Sequence, residues 1–448
     1  MRSDADDNAT LRQRLAAAAR GGRYVLRNVR PGPSPGAAGS APALCDLLVE
    51  AGKVAAVEPA AAAVAFGDGA CVDAGGRMAL PAFVDCHTHL DKGHISPRTP
   101  GADGSFPGAM AAVIADRLSH WTADDLAVRM DFALRCAHHY GTAALRTHLD
   151  SLPPQDSISW PVFEELRRAW RGRVDLQAAC LVGIDFARDE QALEAMARRV
   201  AAAGGVLGAT AFMVPDLDPL LERMFATAAR HGLDLDFHAD ETADASVDAL
   251  RRIAETALRM RFEGKVLVGH CCSLARQDLA VVDSTLDKVA AAGLAVVSLP
   301  MCNLYLQDRR HDGTTPRWRG VTLLHEMRSR GIPVALASDN TRDPFYAYGD
   351  LDMLETYRMG TRIMHLDHDI GDWPLAVSAT PAAAMGLTDR GSIGAGRTAD
   401  FVLFEGRSWS ELLSRPESDR VVVRAGAPLT GSLPAYRELD RLVGLTPD

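Results

Sequence analysis

The chain of 448 residues has eight cysteines but no Cys-x-x-Cys pair. Cys45, Cys71, Cys86, Cys136, Cys180, Cys271, Cys272 and Cys302 are scattered, several of them inside apolar runs where a free thiol behaves as a small hydrophobe. This argues against a disulfide scaffold and against a structural zinc knot. No apolar run approaches the roughly 18 residues that span a bilayer. Asp4, Asp6 and Asp7 stand where a secretory leader would carry basic residues, so a reduced, cytoplasmic setting with no membrane partner is expected. Positive charge is also short: 48 basic against 58 acidic residues leave a net charge of −10. Binding phosphates needs a concentrated basic face, so a nucleic-acid partner is not expected, and a small neutral or cationic substrate fits better. No Gly-x-Gly-x-x-Gly follows any predicted strand, which speaks against an open dinucleotide-binding sheet.

What is present is organised around Pro81-Ala-Phe-Val-Asp-Cys-His-Thr-His-Leu-Asp-Lys-Gly-His94. An apolar run reads as a short buried strand, and His87 and His89 near its end are two residues apart. Alternate residues of a strand share a face, so both imidazoles project together, a good start for a divalent metal site.

Before this stretch, residues 1 to 22 read as a short helix or a tail. Short strands such as Tyr24 to Val29 and Cys45 to Glu50, separated by a loop rich in Pro, Gly and Ser, predict a small β domain over 23–80. After it, strands alternate with helices. The strands are expected at 82–88, 142–149, 174–184, 206–214, 233–240, 266–272, 294–300 and 332–338. Helical patterns cover Ala123 to His139, Gln191 to Ala203 and Asp218 to His231, the last opening on Asp218-Pro219 as N-cap and first turn. Eight strand–helix units predict a (β/α)8 TIM barrel over 81–385. Strand texture returns at 386–430, so the two flanks are expected to pair as one β-sandwich, leaving 431–448 as a C-terminal extension.

In such a barrel the chemistry lies at the C-terminal ends of the strands. Those ends carry His87 and His89, His148 and Asp150, His238 and Glu241, His270, then Asp339 and Asn340. Three or four of these groups could hold a metal: His87, His89 and His238 offer neutral nitrogens and Asp339 a carboxylate oxygen, with a position open for water. A metal lowers the pKa of its water from about 15.7 toward about 7, which supplies hydroxide at neutral pH. Glu241 is placed to protonate a departing nitrogen, and His270 to orient water or polarise substrate. Blander readings stand beside these. His148 and Asp150 could close a loop, His270 could be a satisfied core histidine, and Asp339 could cap a helix.

The set resembles the amidohydrolase superfamily, and within it the bacterial cytosine deaminases. The resemblance rests on Phe83-Val-Asp-Cys-His-Thr-His-Leu-Asp91, Arg146-Thr-His-Leu-Asp150, Phe237-His-Ala-Asp-Glu241, Asn303 to Arg309, Ala337 to Phe345 and Gly394-x-Gly396 with Ala399-Asp-Phe-Val402. It implies one Fe or Zn held by His87, His89, His238 and Asp339, a proton shuttle at Glu241, and water activation by His270 and Asp339. Lys92, His148, Asp150, Asn340 and Phe345 are the candidates for contacts to substrate. It implies a hydrolase acting on C–N bonds of cyclic amidines, replacing the exocyclic amine of cytosine or a close analogue. The alternatives are release of an alkylamine from an s-triazine, opening of a cyclic amide, or a metal-free binding module. One departure bears on substrate: cytosine deaminases carry a base-reading glutamine near the end of the third strand, about where Gly183 stands here. A small heterocyclic substrate and a homo-oligomer are expected.

Overall fold

The computed structural model describes residues 4–33, 43–60, 70–100, 102–368, 370–416 and 419–444. Most of the loop expected between the first two strands, residues 34–42, lies outside them. In chain order the strands are β1 (Arg23–Pro31), β2 (Cys45–Glu50), β3 (Lys53–Pro59), β4 (Ala70–Asp73), β5 (Met78–Pro81), β6 (Phe83–Thr88), β7 (Thr142–Asp150) and β8 (Asp175–Leu181). They continue as β9 (Leu207–Ala211), β10 (Leu235–Ala239), β11 (Val266–His270), β12 (Ala295–Ser298), β13 (Val334–Leu336), β14 (Phe401–Phe404), β15 (Val421–Arg424) and β16 (Ala427–Pro428). The chain divides into two compact units, one of Met1–Val84, Arg135–Ala144 and Asp352–Leu433, the other of Asp85–Leu134, Leu145–Leu351 and Pro434–Asp448.

In the first unit the N- and C-terminal strands share one sheet, in the order β16-β15-β14-β5-β1-β2-β3, with β4 also on β1. The seam between the flanks is antiparallel, Phe401 opposite Pro81 through Phe404 opposite Met78. The first residues form a helix, α1 (Asp4–Ala19), because Leu11, Leu15 and Ala18 recur at helical spacing and bury their side chains in the apolar core of this sheet. Gly141 is required where its chain turns: φ is +100°, and a Cβ there would meet Val402 Cγ2 at 2.4 Å. The chief polar tie is Arg420, whose two guanidinium nitrogens each donate to Asp352 at 2.7 Å, both side chains being buried.

The second unit is α/β with parallel pairing. The sheet β9-β10-β11-β12-β13 is parallel throughout, and β6-β7-β8 forms a second sheet. Isolated parallel bridges join their edges, Ala179 with Val206 and Gly183 with Thr210 on one side, Thr88 with Asp339 on the other. Every residue of β10 and β11 is buried, as strands covered on both faces require. Each of the eight strands expected from the sequence is found. The last keeps only Val334–Leu336, and Asp339 beyond it takes φ +65°.

Helices α2 (Phe106–His120), α3 (Ala123–His139), α4 (Asp156–Ala169), α5 (Glu190–Ala202), α6 (Leu217–His231), α7 (Ala249–Met260), α8 (Leu279–Ala291) and α9 (Pro300–Leu306) lie between these strands. The start of α6 differs from expectation in its cap. The N-cap of α6 is Asp216, not Asp218, and its side chain makes no cap hydrogen bond. Arg188 donates to both oxygens of Asp216, at 2.8 and 2.9 Å, while Asp218 turns to Arg252. Ion pairing has taken both carboxylates that could have capped the helix.

Asp352 also accepts from Leu354 N as an N-cap. Asp352→Ala therefore removes the carboxylate from a buried guanidinium, and should destabilise the fold by about 3–5 kcal/mol. A urea midpoint unchanged from wild type would refute that assignment.

Candidate active site

The second unit's strands deliver the polar residues from their C-terminal ends. His87 is fully buried in β6, and His89 follows one residue beyond the strand. Their Nε2 atoms lie 3.5 and 3.3 Å from Asp339 Oδ1, and His89 Nε2 is 3.2 Å from His238 Nε2. Two nitrogens at that distance repel unless a proton or a cation lies between their lone pairs. Both ring nitrogens of His87, Nδ1 of His238, Nε2 of His270 and both oxygens of Asp339 are buried without a hydrogen-bond partner. Each such group costs roughly 1–3 kcal/mol when left unmet, and one divalent ion would satisfy several together. Ligand atoms of His87, His89, His148 and His238 all fall within 4.8 Å of one another, as do those of His87, His270 and Asp339. The donor set fits a metal of the borderline kind that takes imidazole and carboxylate.

The electrostatics agree with neutral imidazoles. Burial, then the neighbouring rings, hold His87 and His238 well below the ordinary histidine pKa, which leaves their lone pairs available. Burial pushes Asp339 up to about 7, against the lowering pull of His270. A cation beside it would reverse that shift.

Local backbone aims these groups. His270 and Asp339 sit at φ +70° and +65°, conformations that side-chain-bearing residues rarely adopt and that cost about 1–3 kcal/mol. Asp240 does the same at φ +55° and caps α7, accepting from Ala249 N and Leu250 N. The turn it makes lets Glu241 face back toward β11. Glu241 Oε1 is 3.1 Å from His270 Nδ1 and accepts from Asn303 Nδ2 at 3.1 Å. Burial pulls the His270 pKa down, but the Glu241 carboxylate, together with Asp339 and Asp236, more than reverses this and raises it. Gly269, between Val268 and His270 on β11, pairs with His238 and so faces the cluster. A Cβ there would lie 2.9 Å from His87 Cε1, so only glycine lets the His87 ring pass.

Beneath the cluster lies a buried polar layer. Arg146 donates to Asp236 at 2.7 Å, and Asp236 Oδ1 is 3.0 Å from His148 Nε2. The His148 ring packs 4.1 Å from that of His87, and its nitrogens lie against Asp236 and the Thr88 carbonyl. Lys92 Nζ donates to Asp150 Oδ1 at 2.6 Å and lies 3.3 Å from His89 Nδ1, while Arg117 takes the other Asp150 oxygen. Asn340 donates to Asp343, and Phe345 sets its ring against Phe106. The structure thus brings His87, His89, His148, His238, His270, Asp339 and Glu241 together. It gives the polar groups of Lys92, Asp150 and Asn340 protein partners of their own. Asp236 and Asn303 were not singled out as site residues in the sequence. Asp236 was findable, being two residues before His238 and hence on the same strand face.

A model of the amidohydrolase family matches residues 167–430, more than half of the chain. The chain is 52% identical over 399 residues to a pterin deaminase of Rhizobium rhizogenes, covering 89% of this chain and 91% of that one. It is 24% identical over 349 residues to N-isopropylammelide isopropyl amidohydrolase of a Pseudomonas species, covering 75% and 82%. Among solved structures, 5-methylcytosine deaminase from Klebsiella pneumoniae liganded with 5-fluorocytosine superimposes with a TM-score of 0.78 at 24% identity, covering 92% of this chain and 98% of that one. The chain belongs to the amidohydrolase family, and its relatives include heterocycle deaminases.

Gly269→Ala should push the His87 ring out of place. Purified protein should then carry markedly less metal than wild type while keeping its far-UV circular dichroism; equal metal content would contradict the close-approach role of Gly269.

Proposed function

We propose that this chain is a metal-dependent hydrolytic deaminase that replaces the exocyclic amine of a pterin with oxygen. The observation that carries the reaction class is the buried His87, His89, His238 and Asp339 set beside Glu241 and His270. The substrate reading rests on the 52% identity to a pterin deaminase across about nine-tenths of both chains. Cytosine, the first candidate from the sequence, shares with pterin an amine on a carbon bonded to a ring nitrogen. The same reading takes β6 to β13 as a closed (β/α)8 barrel, supported by the bridges at both sheet edges. It takes 23–80 with 386–430 as the accompanying β-sandwich.

The ion, Fe or Zn, would be held by His87, His89, His238 and Asp339, and when bound it supplies the Lewis acidity that makes water a nucleophile near neutral pH. Glu241 passes the proton lost by the attacking water to the ring nitrogen beside the attacked carbon, then passes the proton of the new hydroxyl to the departing amine, and as the C–N bond breaks the amine leaves as ammonia. Asn303 keeps the Glu241 carboxylate turned inward while this happens. His270, 3.1 Å from Glu241, orients the water together with Asp339. Asp339 thereby has two duties, ligand and water acceptor. The polar layer of Asp236, Arg146 and His148 keeps the His87 ring in place from behind.

Ammonia release from pterin, cytosine and N-isopropylammelide, with isopropylamine scored for the last, separates this reading from the alkylamine-releasing one. Glu241→Gln should keep its metal while kcat falls by roughly 10²–10⁴-fold. A near-normal rate would remove Glu241 from the mechanism. Asp339→Ala should lose both metal and turnover, and an active, fully loaded variant would contradict its double duty.

A further inference from the structure

Position 183 is a gap on the face of the sheet that carries the candidate metal ligands. Gly183 bridges Thr210, and Thr210 is the ladder partner of His238. Directly paired residues of neighbouring strands project to the same face. His238, Thr210 and Gly183 therefore form a row at one level, and the side chain missing at 183 would have pointed where the His238 imidazole points. The backbone does not demand a glycine there. Its φ of −69° and ψ of 150° are ordinary extended values open to any residue.

What stands in the gap is the side chain two residues beyond Thr210. A Cβ at 183 would meet Phe212 Cε1 at 3.1 Å and Cζ at 3.5 Å. It would also meet Asp185 Oδ1 at 2.5 Å, but that carboxylate is the end of an exposed side chain that can swing aside. The ring is the bulkier neighbour, and it is 42% exposed, followed by the half-exposed Met213. An aromatic ring that leans into the row of site-facing residues, with its remaining surface open to water, is a surface on which a flat ring can stack.

We propose that Phe212, seated in the gap left by Gly183, is the specificity-determining residue for a flat two-ring heterocycle, stacking on the ring that does not react. The inference rests on the deaminase reading for the reacting ring and adds what selects the second one. A pterin places its amine-bearing pyrimidinone ring at Glu241 and leaves its pyrazine ring to be held. Stacking on an aromatic side chain suits that ring, which offers a π face and no hydrogen-bond donor. A one-ring substrate gains nothing from Phe212.

The test compares pterin with isocytosine, which keeps the 2-amino-4-oxopyrimidine ring and lacks the second ring. Metal-loaded wild type, Phe212→Ala and Phe212→Tyr are assayed on both, and lumazine binding is followed by its fluorescence. In Phe212→Ala the pterin-to-isocytosine ratio of kcat/KM should fall roughly 5- to 100-fold, the span reported by removal of a stacking ring. The loss should come mainly through KM, and Phe212→Tyr should restore it. If wild type releases ammonia from pterin and the ratio does not move, the stacking role is overturned and the deaminase reading stands. If wild type releases none but lumazine binds and the alanine variant weakens it by a similar factor, the reaction assignment falls and the stacking site stands. Lumazine binding that is absent or unaffected in that case overturns both.

Discussion

The constraint on which the rest depends is the mutual crowding of buried imidazoles and one buried carboxylate. His89 lies 3.2 Å from His238 and 3.3 Å from Asp339, and His87 lies 3.5 Å from Asp339, yet both His87 nitrogens and both Asp339 oxygens lack hydrogen-bond partners. Neutral rings avoid repulsion between like charges but leave lone pairs facing lone pairs. A single divalent cation resolves both problems, and it also explains why a carboxylate is tolerated there with no arginine or lysine of the described residues paired to it. The unmet groups and the left-handed backbone at His270 and Asp339 are costs that a catalytic centre retains because they hold the groups in place.

Around that centre the chain spends its other polar groups on support. Lys92 is matched to Asp150, Arg117 to the same carboxylate, Arg146 to Asp236, and Asn303 to Glu241. Burial lowers the Lys92 pKa, but Asp150 and Asp91 more than offset this and hold it above the ordinary lysine value. It is therefore charged, and its position beside His89 Nδ1 makes it a neighbour of the cluster whose charge is already balanced. Such matched pairs cost little and keep side chains in single rotamers, which is what a site needs from residues behind it.

Much of this was legible from residue order alone. Period-two spacing put His87 with His89 on one face, and alternating strands and helices gave all eight second-unit strands within a few residues. The same counting rule would have found Asp236 beneath His238. Three features were hidden for physical reasons. Asn303 reaches Glu241 from a helix rather than a strand end, so its place depends on how α9 packs. The roles of Lys92 and Asp150 depended on a pairing across 58 residues that no local pattern encodes. Neither Asp216 nor Asp218 spends its carboxylate on capping α6, because Arg188 and Arg252, distant in sequence, hold them. Gly183 was visible as a departure from the cytosine deaminase pattern, but the ring that fills its space comes from the neighbouring strand.

The most direct test is a titration of chelator-stripped protein with Zn or Fe(II), followed by calorimetry and by the thermal midpoint. The account predicts saturable binding of one ion per chain at this cluster, a rise in the midpoint, and recovery of ammonia release from pterin in step with occupancy. Stripped protein that binds no ion, or that deaminates at the full rate without one, would contradict it.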